Sequence, residues 1–207
     1  MQEALAVFSF WEVNNMGRLF ELDISQALAA IEKLKNDLSP EMFNRVMRRT
    51  LNEVARRSHT IIDREVRKKY EVKSSWVLSK IGHHKIFDSA SGVTCIIPIK
   101  GDRGSIGGTF KTLSWKRGTK ARAKIVKSNT SEIPAIMPRK TPYTGKPSFQ
   151  VGSLVFTRKT DARLPIVNVK GLGVPQMPEQ RARPEVEAKV SELFEKRFIH
   201  NYEQIFG

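Results

Sequence analysis

The chain has 207 residues, of which 40% are hydrophobic, and a formal net charge of +15, which suits one basic globular domain with a core of its own. No segment approaches the roughly 18 consecutive apolar residues that a membrane helix needs, so we expect neither a membrane span nor a secreted protein. Cys95 is the single cysteine, which excludes an internal disulfide and predicts a small buried hydrophobe.

The first part of the chain is predicted to be largely helical. Met16–Leu22 is expected to form a short strand, and Ser25 can cap a helix with apolar residues at helical spacing, Leu28, Ile31, Leu34 and Leu38. Ser39 and the proline after it form a strong start signal for a long second helix. Its apolar stripe continues to about Tyr70, through Phe43, Val46, Met47, Leu51, Val54, Ile61, Ile62 and Val66.

The middle of the chain is predicted to be rich in strands. Ser74 or Ser75 can cap a short helix, after which "KIFDSASGVTCIIPIKG" predicts two strands around a Ser-Ala-Ser-Gly turn. The following tract, "GDRGSIGGTFKTLSWKRGTKARAKIV", lacks helical periodicity and is expected to form a hairpin with a long, basic, Gly-rich and mobile loop. Residues 149–171 then predict two strands around the turn Lys159–Ala162.

The stretch "RLPIVNVKGLGVPQM" is predicted to form a corner between a strand and the last helix. A proline at the start of a strand costs no ladder hydrogen bond, the two glycines allow a turn that needs positive φ, and Val-Pro favours an extended approach to the helix. The residues of this structural corner are Leu164, Pro165, Gly171, Gly173 and Pro175.

The last helix is expected to open at Pro184, with Glu185 and Glu187 in its first turn, where the helix dipole favours them. Its apolar face consists of Val186, Val190, Leu193, Phe194, Phe198, Tyr202 and Ile205. The order of helices, strands and one helix predicts an α+β fold, in which a long N-terminal helix and a C-terminal helix pack on an antiparallel β-sheet.

The positive charge is concentrated in the middle third. Residues 1–99 hold 15 basic and 12 acidic side chains, residues 100–170 hold 16 and 3, and residues 171–207 hold 5 and 6. This distribution suggests a surface that faces a polyanion or an acidic partner, the alternative being a solvated basic face without a partner. Aromatic residues that could stack on bases, or else belong to the core or an interface, are Trp76, Phe110, Trp115 and Tyr143.

Residue types that perform catalysis or bind metals are not clustered. The tract "GDRGSIGG" lacks the Gly-Lys-Ser/Thr ending of a phosphate-binding loop. The adjacent His83 and His84 would point to opposite faces of a strand. Asp102, Glu132 and Asp161 stand alone in the basic region, so a metal-dependent nuclease site is not expected. We predict no enzymatic activity, no cofactor and no metal site.

Two blocks of sequence carry a resemblance to a known family. In "LNEVARRSHTIIDREVRKKYEVKSSWVLSKI", Leu51–Ile81, a long helix ends in a basic-Tyr pair before a short Lys-Ser helix. In "LVFTRKTDARLPIVNVKGLGVPQM", Leu154–Met177, a strand ending in Arg leads through Leu-Pro-Ile and a Gly-containing turn to Val-Pro-Gln-Met. Both blocks, in this order, resemble the phage minor tail protein Z family, although "KGLG" replaces the aromatic-Gly-Pro-Ser turn of many members.

The likeness covers most of residues 16–207 and leaves residues 1–15 as an N-terminal extension. It implies one tail-completion domain with a helical part (16–81), a β part (82–175) and a C-terminal helix (176–207). It also implies a structural virion protein of the tail and neck, present in the host cytoplasm during assembly, that forms a homo-oligomeric ring at the head-proximal end of the tail and binds other tail and neck proteins.

Such a ring would surround the DNA path and contact the phosphates of genomic DNA. The candidate DNA-facing residues are Lys111, Lys116, Arg117, Lys120, Arg122 and Lys124. The alternative function is a free nucleic-acid-binding protein that uses residues 100–170 on phosphates without sequence preference.

Overall fold

A computed structural model describes residues 8–10, 12–13, 20–22, 31, 38–89, 92–101, 103–116, 119–132 and 145–206. Within these ranges the chain has an α+β fold of three α-helices and several small, mainly antiparallel sheets, which confirms the predicted fold class. The predicted helix after Ser25 lies outside the described residues except for Ile31, which is buried.

The long helix α1, Pro40–Lys69, begins and ends where the sequence predicts. Ser39 is its N-cap, and the Ser39 hydroxyl accepts a hydrogen bond of 3.4 Å from the backbone N–H of Met42. The predicted stripe is buried at its centre, and Phe43 and Ile61 pack against the core from its edge. Burial of this stripe accounts for a helix of 30 residues.

The C-terminal helix α3, Arg183–Phe206, packs along α1. A π-helical turn, Pro178–Ala182, precedes it, so helical structure starts before the predicted Pro184. The Asn201 amide donates a hydrogen bond of 3.2 Å to the hydroxyl of Thr50, whereas Glu185 forms an ion pair of 2.8 Å with Lys69. Late residues of α3 therefore contact early residues of α1, and the two helices are antiparallel.

A buried carboxylate links the same two helices. Glu65 of α1 is almost completely buried and accepts hydrogen bonds from Lys68, at 2.9 Å, and from Lys189 of α3. Burial alone would raise the pKa of Glu65, but the hydrogen bonds from Lys189 and Lys68 hold it below its ordinary value.

The short helix α2, Ser74–Lys80, follows α1 as predicted, but its cap is different. Lys73 occupies the N-cap position, and no side chain caps the helix. Ser74 instead donates a hydrogen bond of 2.8 Å to the carboxylate of Asp63, which also pairs with Arg67. The prediction of a serine cap was wrong because this hydroxyl binds a neighbouring helix.

The described residues form fourteen strands, three before α1 and eleven between α2 and α3. They are β1 (Phe8–Phe10), β2 (Glu12–Val13), β3 (Phe20–Leu22), β4 (Lys85–Ser89), β5 (Gly92–Ile96), β6 (Ile99–Lys100), β7 (Arg103–Ser105), β8 (Lys111–Leu113), β9 (Arg122–Lys124), β10 (Ser131–Glu132), β11 (Phe149–Val151), β12 (Leu154–Arg158), β13 (Ile166–Asn168) and β14 (Lys170–Gly173).

These strands form five small sheets. Their orders are β3-β1-β5-β4, β10-β9-β8, β11-β12-β13, β14-β7 and β2-β6. The β4–β5 hairpin follows the prediction, and β12 and β13 flank the predicted turn. Residues 149–171 were predicted to form two strands, but the turn at Gly152 and the break at Val169 divide them into four, β11 to β14. Two pairs, β1–β5 and β2–β6, are parallel, so the sheets are not purely antiparallel. Strands β1 and β2 belong to the N-terminal extension and pair with the β part of the chain.

The tract after Gly101 contributes to two of these sheets. The predicted hairpin is β8–β9, while β7 pairs with the distant β14. Ile106 and Phe110 are fully buried between these strands and are apolar anchors that the sequence interpretation did not count. Mobility of this tract stays a prediction.

The base of the β8–β9 hairpin is attached to the end of α1. The backbone N–H of Lys127 donates to the Lys69 carbonyl, and that of Glu71 donates to the Ile125 carbonyl, both at 2.9 Å. Tyr70 forms a β-bridge with Val126 between these two hydrogen bonds. The hairpin is therefore fixed at its base to the longest helix of the described chain.

The corner differs from the prediction in its second half. Strand β13 begins directly after Pro165, as expected, and Leu164 is exposed. Gly171 and Gly173, however, lie in β14 and do not form a positive-φ turn. Val174 and Pro175 form a tight turn, since the N–H of Met177 donates to the Val174 carbonyl at 3.2 Å, so the approach to the helix is not extended.

Gly171 is required for a different physical reason. A Cβ at this position would lie 2.6 Å from the ring atom Cε2 of Phe110 and 3.2 Å from Cδ1 of Ile125. Gly104, on the neighbouring strand β7, approaches the same ring, where a Cβ would lie 2.8 Å from Phe110 Cε2. The two glycines make room for one buried aromatic ring.

Candidate nucleic-acid interface

Strand alternation places three cations of the β8–β9 hairpin on one face. Lys111 lies opposite Lys124, and Leu113 lies opposite Arg122, so these four side chains share one face. Ala123, on the other face, is completely buried. The core therefore fixes which face of the hairpin carries its cations.

Next to this hairpin lies a basic groove of about 470 Å³. It contains three of the predicted cations, Lys116, Lys120 and Arg122, together with the indole of Trp115. The remaining lining residues are Ser114, Thr119, Gly145 and Pro147. Lys111 and Lys124 lie outside the groove on the hairpin, and Arg117 lies outside the described residues.

The second wall of the basic groove comes from a distant segment. The backbone N–H of Ser148 donates to the Thr119 carbonyl at 3.1 Å, and the N–H of Ala121 donates to the Ser148 hydroxyl at 3.3 Å. These bonds hold the connection between β8 and β9 against residues 145–148. Sequence reasoning missed this wall because no local pattern predicts contact between the two segments.

Four lysines of the hairpin and the basic groove have no acidic partner among the described residues, whereas Lys146, in the second wall, pairs with Asp161. No ion pair within the described ranges involves Lys111, Lys116, Lys120 or Lys124, whereas most ion pairs found there lie on α1 and α3. Exposed lysines without carboxylate partners attract anions, and a row of them matches the spaced charges of a phosphate backbone.

Among the predicted aromatic residues that the structure describes, Trp115 is the one that lies in the groove. Trp115 is half-buried there, with hydroxyl and cationic groups beside it. Phe110 is a core residue, and Trp76 packs edge-on against it with ring centroids 6.0 Å apart. Tyr143 lies outside the described residues. The groove thus combines cations with one aromatic surface on which a base could stack.

A second groove, of about 620 Å³, lies between β7, β13 and β14. Arg103, Lys159 and Lys170 line it together with Ile166 and Asn168. The amide oxygen of Asn168 is buried and has no hydrogen-bond partner among the described residues. These cations belong to the predicted basic third of the chain, but the sequence interpretation did not single them out.

Among the described residues, histidine and cysteine side chains do not line either of the two grooves. Burial lowers the pKa of His59, and the charges of His84 and His83 lower it further. His84 forms a hydrogen bond of 2.7 Å with the side-chain oxygen of Asn52. Cys95 is buried, as expected, and burial raises the pKa of its thiol to about 12. The described ranges contain no group of three or more His, Cys, Asp or Glu residues that could hold a metal ion.

None of the helices in the described part of the chain is long and apolar enough to cross a membrane. Comparisons of the chain with protein-family models, with curated proteins and with solved structures found no match.

Proposed function

We propose that this chain is a structural tail-completion protein of a phage virion, without enzymatic activity, whose basic face contacts DNA phosphates. In this proposal it forms a homo-oligomeric ring at the head-proximal end of the tail, together with other tail and neck proteins, and reaches the virion from the host cytoplasm. The resemblance of Leu51–Ile81 and Leu154–Met177 to the phage minor tail protein Z family supports the tail assignment.

The observation that carries the DNA contact is the set of lysines on the β8–β9 hairpin and in the basic groove that form no ion pair with the described residues, Lys111, Lys116, Lys120 and Lys124. Lys116 and Lys120 are exposed, and no carboxylate of the described chain pairs with them. Phosphate contacts of this kind position a nucleic acid without reading its sequence. A protein around a DNA path needs this property, because any sequence of the genome must pass.

The free nucleic-acid-binding protein remains the second candidate function, because Trp115 lies among the groove cations. A stacking aromatic beside lysines favours single-stranded nucleic acid. Under this alternative the purified protein is a monomer that binds nucleic acid tightly and does not enter tails.

The test replaces Lys116 and Lys120 with Gln, with Lys73→Gln/Lys85→Gln as the control. The control removes the same charge from two exposed lysines outside the groove. We expect weak, sequence-independent DNA binding by the wild type, and a slope of log K against log salt that is shallower by about 1.8 in the groove variant, since each phosphate contact contributes about 0.9. The control should keep the wild-type slope.

Purified tails then separate the two functions. The tail proposal predicts that the groove variant enters tails normally and reduces DNA retention or head joining. If the groove variant fails to enter tails while the control enters them, the lysines serve a protein interface and the DNA contact is wrong. Absence of the wild-type protein from purified tails, combined with tight binding to single strands, would favour the free nucleic-acid-binding protein.

A further inference from the structure

The three-stranded sheet β11–β12–β13 carries an exposed apolar face. Strand register places Phe149 opposite Phe156 and Val151 opposite Leu154, and Ile166 follows on the same face. We call these five side chains the apolar sheet face. Arg158, opposite Ile166, lies on the same side of the sheet, with its guanidinium carbon 5.6 Å from the centroid of the Phe149 ring. Val151 is 56% exposed and Ile166 is 38% exposed, and the phenyl rings of Phe149 and Phe156 stack with centroids 6.1 Å apart.

Cations lie at the β13 edge of this face, where the turn between β12 and β13 also carries Asp161, which pairs with Lys146. Lys159 and Lys170 line the second groove beside Ile166, and Arg163 is exposed in the turn before β13. Within the described ranges no ion pair involves these three residues. An aliphatic surface with unpaired cations at its edge fits a partner that offers an apolar side chain between carboxylates.

The outer surface of α3 offers this complementary pattern. Glu192, Glu195, Ile199 and Glu203 are spaced by three, four and four residues, which places them on one helix face, and we call them the acidic stripe. Ile199 is 42% exposed. Glu192 pairs with Lys196 at 2.6 Å, whereas Glu195 and Glu203 form no ion pair with the described residues. The buried side of α3 faces α1, so the acidic stripe is available to a partner.

We propose that the acidic stripe of one copy of this chain docks on the apolar sheet face of a second copy. Ile199 would pack beside Ile166 in the second groove, with the glutamates next to Lys159, Arg163 and Lys170. This inference rests on the proposed ring and names its subunit contact. Because the two surfaces share no residue, the contact is heterologous and repeats head to tail, the arrangement that closes into a ring when the rotation permits.

The chemistry favours a second copy over DNA as the occupant of this face. Val151 and Ile166, the exposed members of the apolar sheet face, are aliphatic and offer no hydrogen bonds to bases, and the acidic stripe would repel phosphates. Each copy supplies both surfaces, so their charge complementarity is satisfied by self-association alone.

The first test uses single substitutions that place a charge at the contact. Ile199→Lys and Ile166→Lys should abolish self-association, measured as mass by analytical ultracentrifugation. Leu78→Lys and Phe87→Lys are matched controls on a helix and a strand, with similar exposure, and should associate like the wild type. Association that is unchanged in both contact variants would overturn the inference.

A charge exchange tests the pairing of the two surfaces. Glu195→Lys/Glu203→Lys and Lys159→Glu/Lys170→Glu should each remain monomeric, because both surfaces of each variant then carry the same sign. A mixture of the two variants should associate again, since every contact between unlike variants regains opposite charges. A mixture that stays monomeric where the wild type associates would show that these surfaces do not meet.

Crosslinking identifies the contact directly, because the buried Cys95 leaves a background without accessible thiols. Ile199→Cys mixed with Ile166→Cys should give a disulfide-linked dimer under mild oxidation, whereas each variant alone should not. Leu78→Cys mixed with Phe87→Cys is the control. Self-linking of Ile199→Cys alone would indicate a two-fold contact and would overturn the head-to-tail arrangement.

The same crosslinking, applied to free protein at high concentration and to purified tails, distinguishes failure of this inference from failure of the proposed function. Protein that enters tails but gives no crosslink in either sample refutes the contact and leaves the tail assignment intact. Protein that crosslinks in solution but is absent from tails supports the contact and refutes the tail assignment.

Discussion

Replacing Gly171 with Ala should destabilise the protein through one steric overlap. The new methyl group would lie 2.6 Å from Cε2 and 3.0 Å from Cδ2 of Phe110. The ring has little room to retreat, because it is buried, packs edge-on against Trp76 and also contacts the backbone of Gly104. The substitution therefore overpacks a site that cannot relax freely.

The expected magnitude follows from two opposing effects. Overpacking of a core site costs about 1–3 kcal/mol. Loss of a glycine from the unfolded chain returns about 0.4–1 kcal/mol. We expect a net loss of about 1–2 kcal/mol in the free energy of unfolding, and each kcal/mol lowers Tm by about 2–4 °C in a chain of this size. Gly171→Val should be worse, because its branches add further overlap.

A double-mutant cycle with Phe110→Leu, measured by denaturant unfolding, tests the cause. Because Leu removes the ring atoms that the methyl group meets, the double variant should be at least about 0.5 kcal/mol more stable than the sum of the single losses predicts. Gly152→Ala is the control: nothing lies within 4 Å of its Cβ, and its φ of +59° is the source of any loss. Its effect should therefore add to that of Phe110→Leu. Additive effects of Gly171→Ala and Phe110→Leu would refute the steric explanation.

Two further predictions concern pH. Glu65 has a pKa below its ordinary value, because the hydrogen bonds from Lys189 and Lys68 outweigh burial. The resulting stabilisation is present above the unfolded pKa of about 4.3 and should be lost as the pH falls through the lowered pKa. In Glu65→Gln the free energy of unfolding, followed by circular dichroism, should fall less steeply with decreasing pH than in the wild type. Equal slopes in the two proteins would contradict this prediction. His59 has a pKa lowered by burial and by two neighbouring histidines, so stability should fall as the pH drops below about 6.5. His59→Gln should reduce that loss of stability. An NMR titration that gives an ordinary pKa for His59 would refute this prediction.

The helices could be predicted because a single local pattern specifies them. In α1 the Ser-Pro start signal and the apolar stripe predict the boundaries that the structure shows. Burial of Val54 and Ile62 in the core stabilises a helix with this apolar spacing. The π-helical turn before α3 was not predictable, since Pro178 and the residues after it carry no distinctive spacing.

The corner shows where local rules fail. A glycine pair indicates that side chains are excluded, but it does not tell whether the backbone needs positive φ or another group approaches closely. At Gly171 the deciding neighbour is Phe110, which is distant in the sequence. Likewise, Ser74 follows a capping pattern, yet Asp63 of the preceding helix takes its hydroxyl.

The candidate site was predictable as a charge surplus but not as a shape. Counting charges identified Lys116, Lys120 and Arg122, which the structure brings together. The wall formed by residues 145–148 required two hydrogen bonds across the fold. The second groove was missed for the same reason, because β7 and β14 meet only through long-range pairing.

The antiparallel pairing of α1 and α3 determines when the protein can fold during its synthesis. Glu65 and Lys189 are 124 residues apart in the chain, and Thr50 and Asn201 are 151 apart. At a translation rate of about 5–20 residues per second, a newly made α1 waits roughly 6–25 s before the residues that cover it exist. During that interval the part of its apolar stripe that packs against α3 is not yet covered by that helix. We therefore expect the yield of folded protein to depend on chaperones that bind the nascent chain.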